Sequence, residues 1–333
     1  MNTKELQNLF DAFNNLNVMI VGDVMIDSYM WGSVDRISPE APVPVVAVDS
    51  RENRLGGAAN VALNIQSLGA NPIIHALIGE DDKGSELIKL AEAQKLPTNG
   101  IITHPSRQTT VKTRIISGSN QMLRVDEENT QNLSEEQENI FLKSIISTLK
   151  SSNIDIIIFE DYDKGLITEK VISETIKTAI ELSIPTAVDP KKKNFNFYQG
   201  VSLFKPNLKE LKQGLKIDFD QGNLQQIENA AKDLKMKLNA ETVLVTLSEL
   251  GIHINGCNAQ ETIPAHYRDI TDVSGAGDTV ISIAALCYAL KVQGKELAML
   301  SNLAGGLVCE KTGVVPIDKN TLLSEAKNIF SKN

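Results

Sequence analysis

The sequence predicts an α/β fold: a mostly parallel central sheet flanked by helices on both faces, with a small β-strand lid. Short apolar runs alternate with longer amphipathic segments between residues 18 and 188, the strand, helix, strand rhythm of a covered parallel sheet. Residues 43–48 and 109–125 break that rhythm with alternating, β-branched side chains and no helix between them, which reads as antiparallel strands outside the main sheet. No internal repeat, low-complexity tract or composition shift marks a linker, so 1–333 reads as a single domain.

The elements follow in order. Residues 1–17 carry Glu5 and Asp11 and lack a basic start before an apolar run, so they read as a short helix and not as a signal peptide. A strand at 18–21 continues through Gly22-Asp23-Val24-Met25-Ile26 and places Asp27 at its end. Ser38-Pro39-Glu40-Ala41-Pro42-Val43-Pro44 is a stiff lead into the first lid strand, because each proline fixes its own φ and extends its predecessor. The lid takes segments of about 28–54 and 107–126, with Val111, Thr113 and Ile115 in alternation. A helix at 58–68, a strand at 73–78, a helix at 85–94, a strand at 154–159, a helix at 169–182 and a strand at 186–188 build the sheet. Beyond Glu241 come a strand at 243–246, a turn at Gly251, a strand at 252–254, a long helix after Gly277 and another after Glu296.

A net charge of -9 argues against a broad nucleic-acid or anionic-membrane footprint. The run Lys191-Lys192-Lys193 lacks the interleaved aromatics of a strand-binding platform. The longest apolar stretch, 280–290, is interrupted by Ser282 and ended by Lys291, too short to cross a bilayer. Cys257, Cys287 and Cys309 have no metal or disulfide spacing and read as free thiols of a cytoplasmic protein.

Chemistry is carried by Asp272-Val273-Ser274-Gly275-Ala276-Gly277-Asp278, which precedes a strongly apolar helix. Its glycines let backbone N–H groups point outward at a helix start, an anion site suited to a migrating phosphoryl group. Asp278 at the same turn can accept a hydroxyl proton; alternatively it is an ordinary acidic residue of a first turn. Gly56-Gly57-Ala58-Ala59-Asn60 opens an earlier helix where a ligand can approach the backbone, with the Asn60 amide offered to hydroxyls, or it is simply a tightly packed helix start. It lacks the dinucleotide glycine spacing, and Gly22-Asp23-Val24-Met25 after the first strand is not the glycine-rich turn of a nicotinamide-dependent dehydrogenase.

These two glycine-rich motifs, in this order and far apart, resemble the ribokinase-like carbohydrate kinases over nearly the whole chain. Arg36-Ile37-Ser38-Pro39-Glu40-Ala41-Pro42, Asp161-Tyr162-Asp163-Lys164-Gly165, Asp189-Pro190-Lys191 and Lys205-Pro206-Asn207-Leu208-Lys209-Glu210 are similar to the bacterial D-glycero-β-D-manno-heptose 7-phosphate kinases. The resemblance implies transfer of the ATP γ-phosphoryl group to the anomeric hydroxyl, giving a 1,7-bisphosphate for ADP-heptose and lipopolysaccharide synthesis. That family is commonly fused to a nucleotidyltransferase with an H-x-G-H motif, which His75, His104, His253 and His266 cannot form. The expectation is therefore a stand-alone kinase form.

The resemblance assigns Asp278 as base, the backbone of Gly275, Ala276 and Gly277 as anion hole, and Asp27, Gly56, Gly57 and Asn60 as sugar contacts. Arg107, Lys112, Arg114, Arg124, Lys164 and Lys191 are candidates for the substrate phosphate, with Asp161 nearby; each cation can equally be a solvated surface charge. Lys164 and Lys191 follow strand carboxyl ends, where open α/β sheets bind ligands. Asn207 and Glu210 are expected to organise Mg²⁺ and the ATP phosphates through water, and their spacing is also that of a capping box. Thr246, Ser248 and Gly251 form a nucleotide-side loop, and Asn302 either approaches adenine or is satisfied within helix packing. A monovalent cation stays open as a further cofactor. Exposed lid edges suggest a homodimer that pairs lids. Rival readings are a same-fold kinase of ribose, fructose or a nucleoside, and a non-catalytic sugar-phosphate sensor.

Overall fold

The computed structural model describes residues 1–118 and 120–331. Ser119, inside the segment 107–126, and residues 332–333, at the end of the span 1–333, lie outside the described residues.

Nine strands form the main sheet in the order β13-β12-β11-β10-β9-β8-β1-β4-β5. They are β1 (Asn17–Gly22), β4 (Asn71–Gly79), β5 (Ile101–His104), β8 (Ile156–Glu160), β9 (Thr186–Asp189), β10 (Leu203–Phe204), β11 (Thr242–Thr246), β12 (Ile252–Gly256) and β13 (Ala259–Ile263). All pairings from β5 to β11 are parallel, and β12 and β13 add an antiparallel edge. Val18, Met19, Ile20 and Val21 in β1 and Ile156, Ile157, Ile158 and Phe159 in β8 are all fully buried. Strands covered on both faces show this continuous apolar run instead of alternation.

Helices cover the sheet. α2 (Ala58–Ser67) lies on β1 and β4, α8 (Ala276–Ala289) on β8 and β9, and α9 (Gly294–Val308) on β12 and β13. α4 (Glu135–Ser151) packs with α5 (Glu169–Glu181), and α6 (Leu208–Leu215) with α7 (Leu224–Leu238). Helix starts are set locally: Ser134 and Gln137 form a capping box at α4, and Thr168 caps α5. α1 (Thr3–Ala12) and α10 (Lys319–Phe330) pack together, and α3 (Asp82–Ala93) completes the set. Among the described residues no helix is long and apolar enough to cross a membrane.

A second sheet has four strands in the order β3-β2-β6-β7, formed by β2 (Val24–Ile37), β3 (Pro44–Gly57), β6 (Thr110–Ser117) and β7 (Asn120–Glu127). Here the structure corrects the reading of Asp27. β1 ends at Gly22, and Asp27 belongs to β2, separated from β1 only by Asp23. The run of apolar residues through this junction conceals the change of sheet, because Val24, Met25 and Ile26 are as buried as Val21. The proline-rich stretch is the turn between β2 and β3, closed by the Ser38 amide donating to the Val43 carbonyl at 2.9 Å.

Candidate functional site

The site lies where the carboxyl ends of β8, β9 and β10 meet the start of α8, as expected for an open α/β sheet. α8 begins at Ala276, two residues before the sequence suggested, with Gly275 as its N-cap at φ 79°. That left-handed conformation suits glycine, and a side chain here would also press within 3.0 Å of the Asn60 amide nitrogen. Of the three anion-hole candidates, the Ala276 amide is already engaged with the Val273 carbonyl at 3.3 Å. Gly277 and Asp278 stand in the first turn, where N–H groups have no intrahelical acceptor. The turn before them is braced by Asp272, which accepts from the amides of Ser274 and Gly313 at 2.9 Å each.

Asp278 is buried, and both carboxylate oxygens are held: Asn60 Nδ2 donates to Oδ2 at 2.6 Å and the Tyr162 hydroxyl to Oδ1 at 2.9 Å. Burial pushes its carboxyl up to about 6, against the hydrogen bond from Asn60 and reinforced by nearby Asp189. Oxygens of Glu160, Asp189 and Asp278 lie within 4.8 Å of one another. Lys205 supplies positive charge to this group, its Nζ 2.8 Å from Asp189 Oδ2 with both side chains almost fully buried. Gly277 faces that ion pair. Glu160 has no hydrogen-bond partner on either oxygen, and burial, with Asp189 and Asp278 beside it, pushes its carboxyl well above the usual range. A neutral acid is the state that fits a carboxyl placed there.

On the side of the four-stranded sheet, Gly56 and Gly57 pair with Met25 and Val24 across β2 and β3. A side chain at Gly56 would collide with the Asp27 carboxylate. Asp27 is buried and pairs with the Arg114 guanidinium, which also lies 5.3 Å over the Tyr29 ring. Lys112 stands opposite Asp27 in the β2–β6 register and seats its ammonium 4.8 Å over the Tyr162 ring. Burial lowers the Lys112 pKa, Asp27 raises it, and Lys164 and Arg124 lower it further, so these three cations share one field.

The remaining cations have protein partners. Arg107 donates to the carbonyls of Gln131 and Lys164 at 3.0 and 2.7 Å, tying two loops together. Arg124 pairs with Asp126 at 2.8 Å and is half exposed, and Lys164 pairs with Glu128 at 2.6 Å. Asp161 turns inward: Asn194 Nδ2 and the Tyr198 hydroxyl each donate to it at 2.9 Å, and burial, with Asp23 nearby, pushes its carboxyl up to about 7.

Lys191 links the two halves of the site, with its Nζ 3.1 Å from Glu210 Oε1 and 5.1 Å over the Tyr162 ring. Asn207 and Glu210 do form the capping box of α6, with reciprocal bonds of 2.8 Å. Asn207, Thr246 and Ser248 border one cleft of about 660 Å³ together with Lys209 and Lys212. Gly251 and Asn302 do not line this cleft. Gly251 packs against the backbone of residues 263–265, and Asn302 donates to the Pro264 carbonyl at 2.8 Å, the packing alternative.

Four groups at this site received no role from the sequence: Glu160, Tyr162, Asp189 and Lys205. Their signal was position, since each sits at or within two residues of a strand's carboxyl end.

Comparison with known proteins agrees with this geometry. The family model "pfkB family carbohydrate kinase" matches residues 15–320. The bifunctional protein HldE of Aliarcobacter butzleri is 41% identical over 300 residues, covering 89% of this chain and 61% of that protein. HldE of Caulobacter vibrioides is 39% identical over 309 residues, covering 92% and 63%. The chain thus spans less than two thirds of these relatives. Among solved structures, Escherichia coli phosphofructokinase-2 in complex with potassium superimposes with a TM-score of 0.79 at 17% identity, covering 95% of this chain and 99% of that one. Arabidopsis thaliana ribokinase complexed with ribose and ATP gives 0.71 at 17% identity, covering 94% and 99%. These two show the ribokinase-like fold. The family match runs from β1 through both glycine-rich turns to the helices behind the buried carboxylate, and on that basis the chain belongs to the pfkB family of carbohydrate kinases.

Proposed function

We propose that this kinase transfers the γ-phosphoryl group of ATP to the anomeric hydroxyl of D-glycero-β-D-manno-heptose 7-phosphate. The observation that carries the reading is a buried, doubly hydrogen-bonded Asp278 with the Lys112 ammonium nearby over the Tyr162 ring, and with Lys164 and Arg124, held by Glu128 and Asp126, beside Lys112. An acceptor that is a hydroxyl at one end and a dianion at the other fits that arrangement.

Asp278 takes the proton from the C1 hydroxyl, the freed oxygen bonds to the γ-phosphorus, and the bond to the bridging oxygen breaks to release ADP. Backbone amides at the start of α8 receive charge that spreads over the transferring group. Asp27, Gly56, Gly57 and Asn60 fix the acceptor, where alignment supplies much of the rate. Magnesium neutralises charge on the ATP phosphates when bound. Glu210 fits a water-mediated role towards it, since Lys191 and the Asn207 amide take one lone pair on each carboxylate oxygen and leave the others. In the nearby group of Glu160, Asp189 and Asp278, Asp189 already has Lys205 as its cation.

Phosphorus NMR tests the reading. With ATP, Mg²⁺ and the heptose 7-phosphate, an anomeric phosphate resonance is expected to grow in step with ADP. Turnover of ribose, fructose or a nucleoside with none of the heptose phosphate rejects the substrate.

The lid reading extends to assembly. Ile37, Val48, Met122, Leu123 and Val125 of the four-stranded sheet, and Val43 of its β2–β3 turn, are all more than 40% exposed, and its edge strands β3 and β7 need cover. A homodimer joined through these sheets is expected at micromolar concentration in sedimentation. Leu123→Asp is expected to shift it to monomer, and a wild type that sediments only as monomer rejects the dimer.

A further inference from the structure

We propose that Tyr162 is a positioning residue: its hydroxyl holds the Asp278 carboxylate in place for proton uptake, and its ring ties that placement to Lys112 of the lid. The inference rests on Asp278 being the base, as proposed above.

Asp278 sits beside two other carboxyl groups, Glu160 and Asp189, in a pocket that excludes water. Left alone, a carboxylate there would be repelled and desolvated. Two donors oppose this, Asn60 at Oδ2 from α2 and Tyr162 at Oδ1 from the loop after β8. A hydrogen bond to the charged form favours that form. Tyr162 keeps its proton to donate, because burial and the surrounding carboxylates push its own phenol well above 10. Its backbone is pinned as well, the Tyr162 amide donating to buried Asp23 at 2.9 Å.

The ring has two cationic neighbours of different origin. Lys112 comes from β6 of the four-stranded sheet and Lys191 from the loop after β9. An ammonium over an aromatic face is attracted by the ring's quadrupole. The ring is therefore the seat on which a lid lysine rests, one side chain away from the base. When a sugar phosphate draws Lys112 to its dianion, the seat feels the change. The charged groups around the pair are Glu160, Asp189, Lys191 and Lys205 from the main sheet's ends and Lys112 from the lid.

Tyr162→Phe keeps the ring and removes one hydrogen bond. The acid limb of its kcat/KM profile is expected to move up by about one pH unit, with plateau kcat down about tenfold and KM for the sugar phosphate within about twofold of wild type. Tyr162→Leu also removes the seat and is expected to raise that KM by about tenfold more. Asn60→Ala, which deletes the other donor, is expected to move the limb in the same direction. A limb that stays put in both Tyr162→Phe and Asn60→Ala overturns the inference, as does an unchanged KM in Tyr162→Leu. The assay uses the sugar phosphate that wild type turns over, with Asp278→Asn as control. A fully active Asp278→Asn, or a wild type inert with every sugar, overturns the base assignment and this inference together. An inactive Asp278→Asn beside unmoved Tyr162 and Asn60 variants overturns this inference alone.

Discussion

Asp278→Asn is expected to lower kcat by about 10²–10⁴-fold, the range for loss of a general base. The amide keeps the shape but cannot take a proton, and its nitrogen faces a donor, Asn60 or Tyr162, where a carboxylate oxygen accepted. In wild type, a base whose carboxyl is pushed up to about 6 is protonated below that pH and ionised above it. The kcat/KM profile should therefore hold level at pH 7–8 and fall about tenfold per unit below about pH 6. Stopped-time assays of ADP release across pH 5–8 measure both effects. Equal activity of the variant, or a profile flat down to pH 5, rejects the role of Asp278.

Lys205→Met is expected to cost about 3–5 kcal/mol of folding stability, the range for removing one partner of a buried ion pair. Both members are nearly inaccessible, Lys205 at 3% and Asp189 at 4% exposure, so water cannot replace the lost ammonium. The uncompensated Asp189 would stand beside Glu160 and Asp278. Adding Asp189→Leu to the same chain is expected to restore much of the loss, because two apolar residues of similar volume leave no orphaned charge. Urea unfolding of the two single variants and the double variant gives the cycle. A Lys205→Met chain within about 1 kcal/mol of wild type would show that the pair is solvated in practice.

Legibility in the sequence followed how local each cause was. Strands β1 and β8 were readable because burial on both faces leaves an unbroken apolar run. The starts of α2 and α8 were readable because glycines precede a small or apolar helical pattern, a signal contained in a few residues. Asp27 was misplaced for the same reason in reverse: apolar residues continue across Asp23 and hide the passage from one sheet to the other. β10 has two residues, too short for any period to show. The Lys205–Asp189 pair joins the ends of two strands, and only their neighbouring places in the sheet bring them together. The Arg107 contacts were not readable, because the carbonyls of Gln131 and Lys164 that it reaches lie far along the chain.

The join between the two sheets has a mechanical consequence. On one side the chain passes from β1 to β2 through a single residue and from β3 directly into α2; on the other, the runs 105–109 and 128–134 have no helix or strand. The first pair of crossings is short and stiff; the second is longer and is held by single bonds such as those of Arg107 to the Gln131 and Lys164 carbonyls. Any rocking of the outer layer must turn about the short side, beside Asp27 and Gly57. The residues there shift least while the distant hairpin tip at residues 38–43 sweeps farthest, so a swing of the layer would leave the Asp27 end of β2 in place.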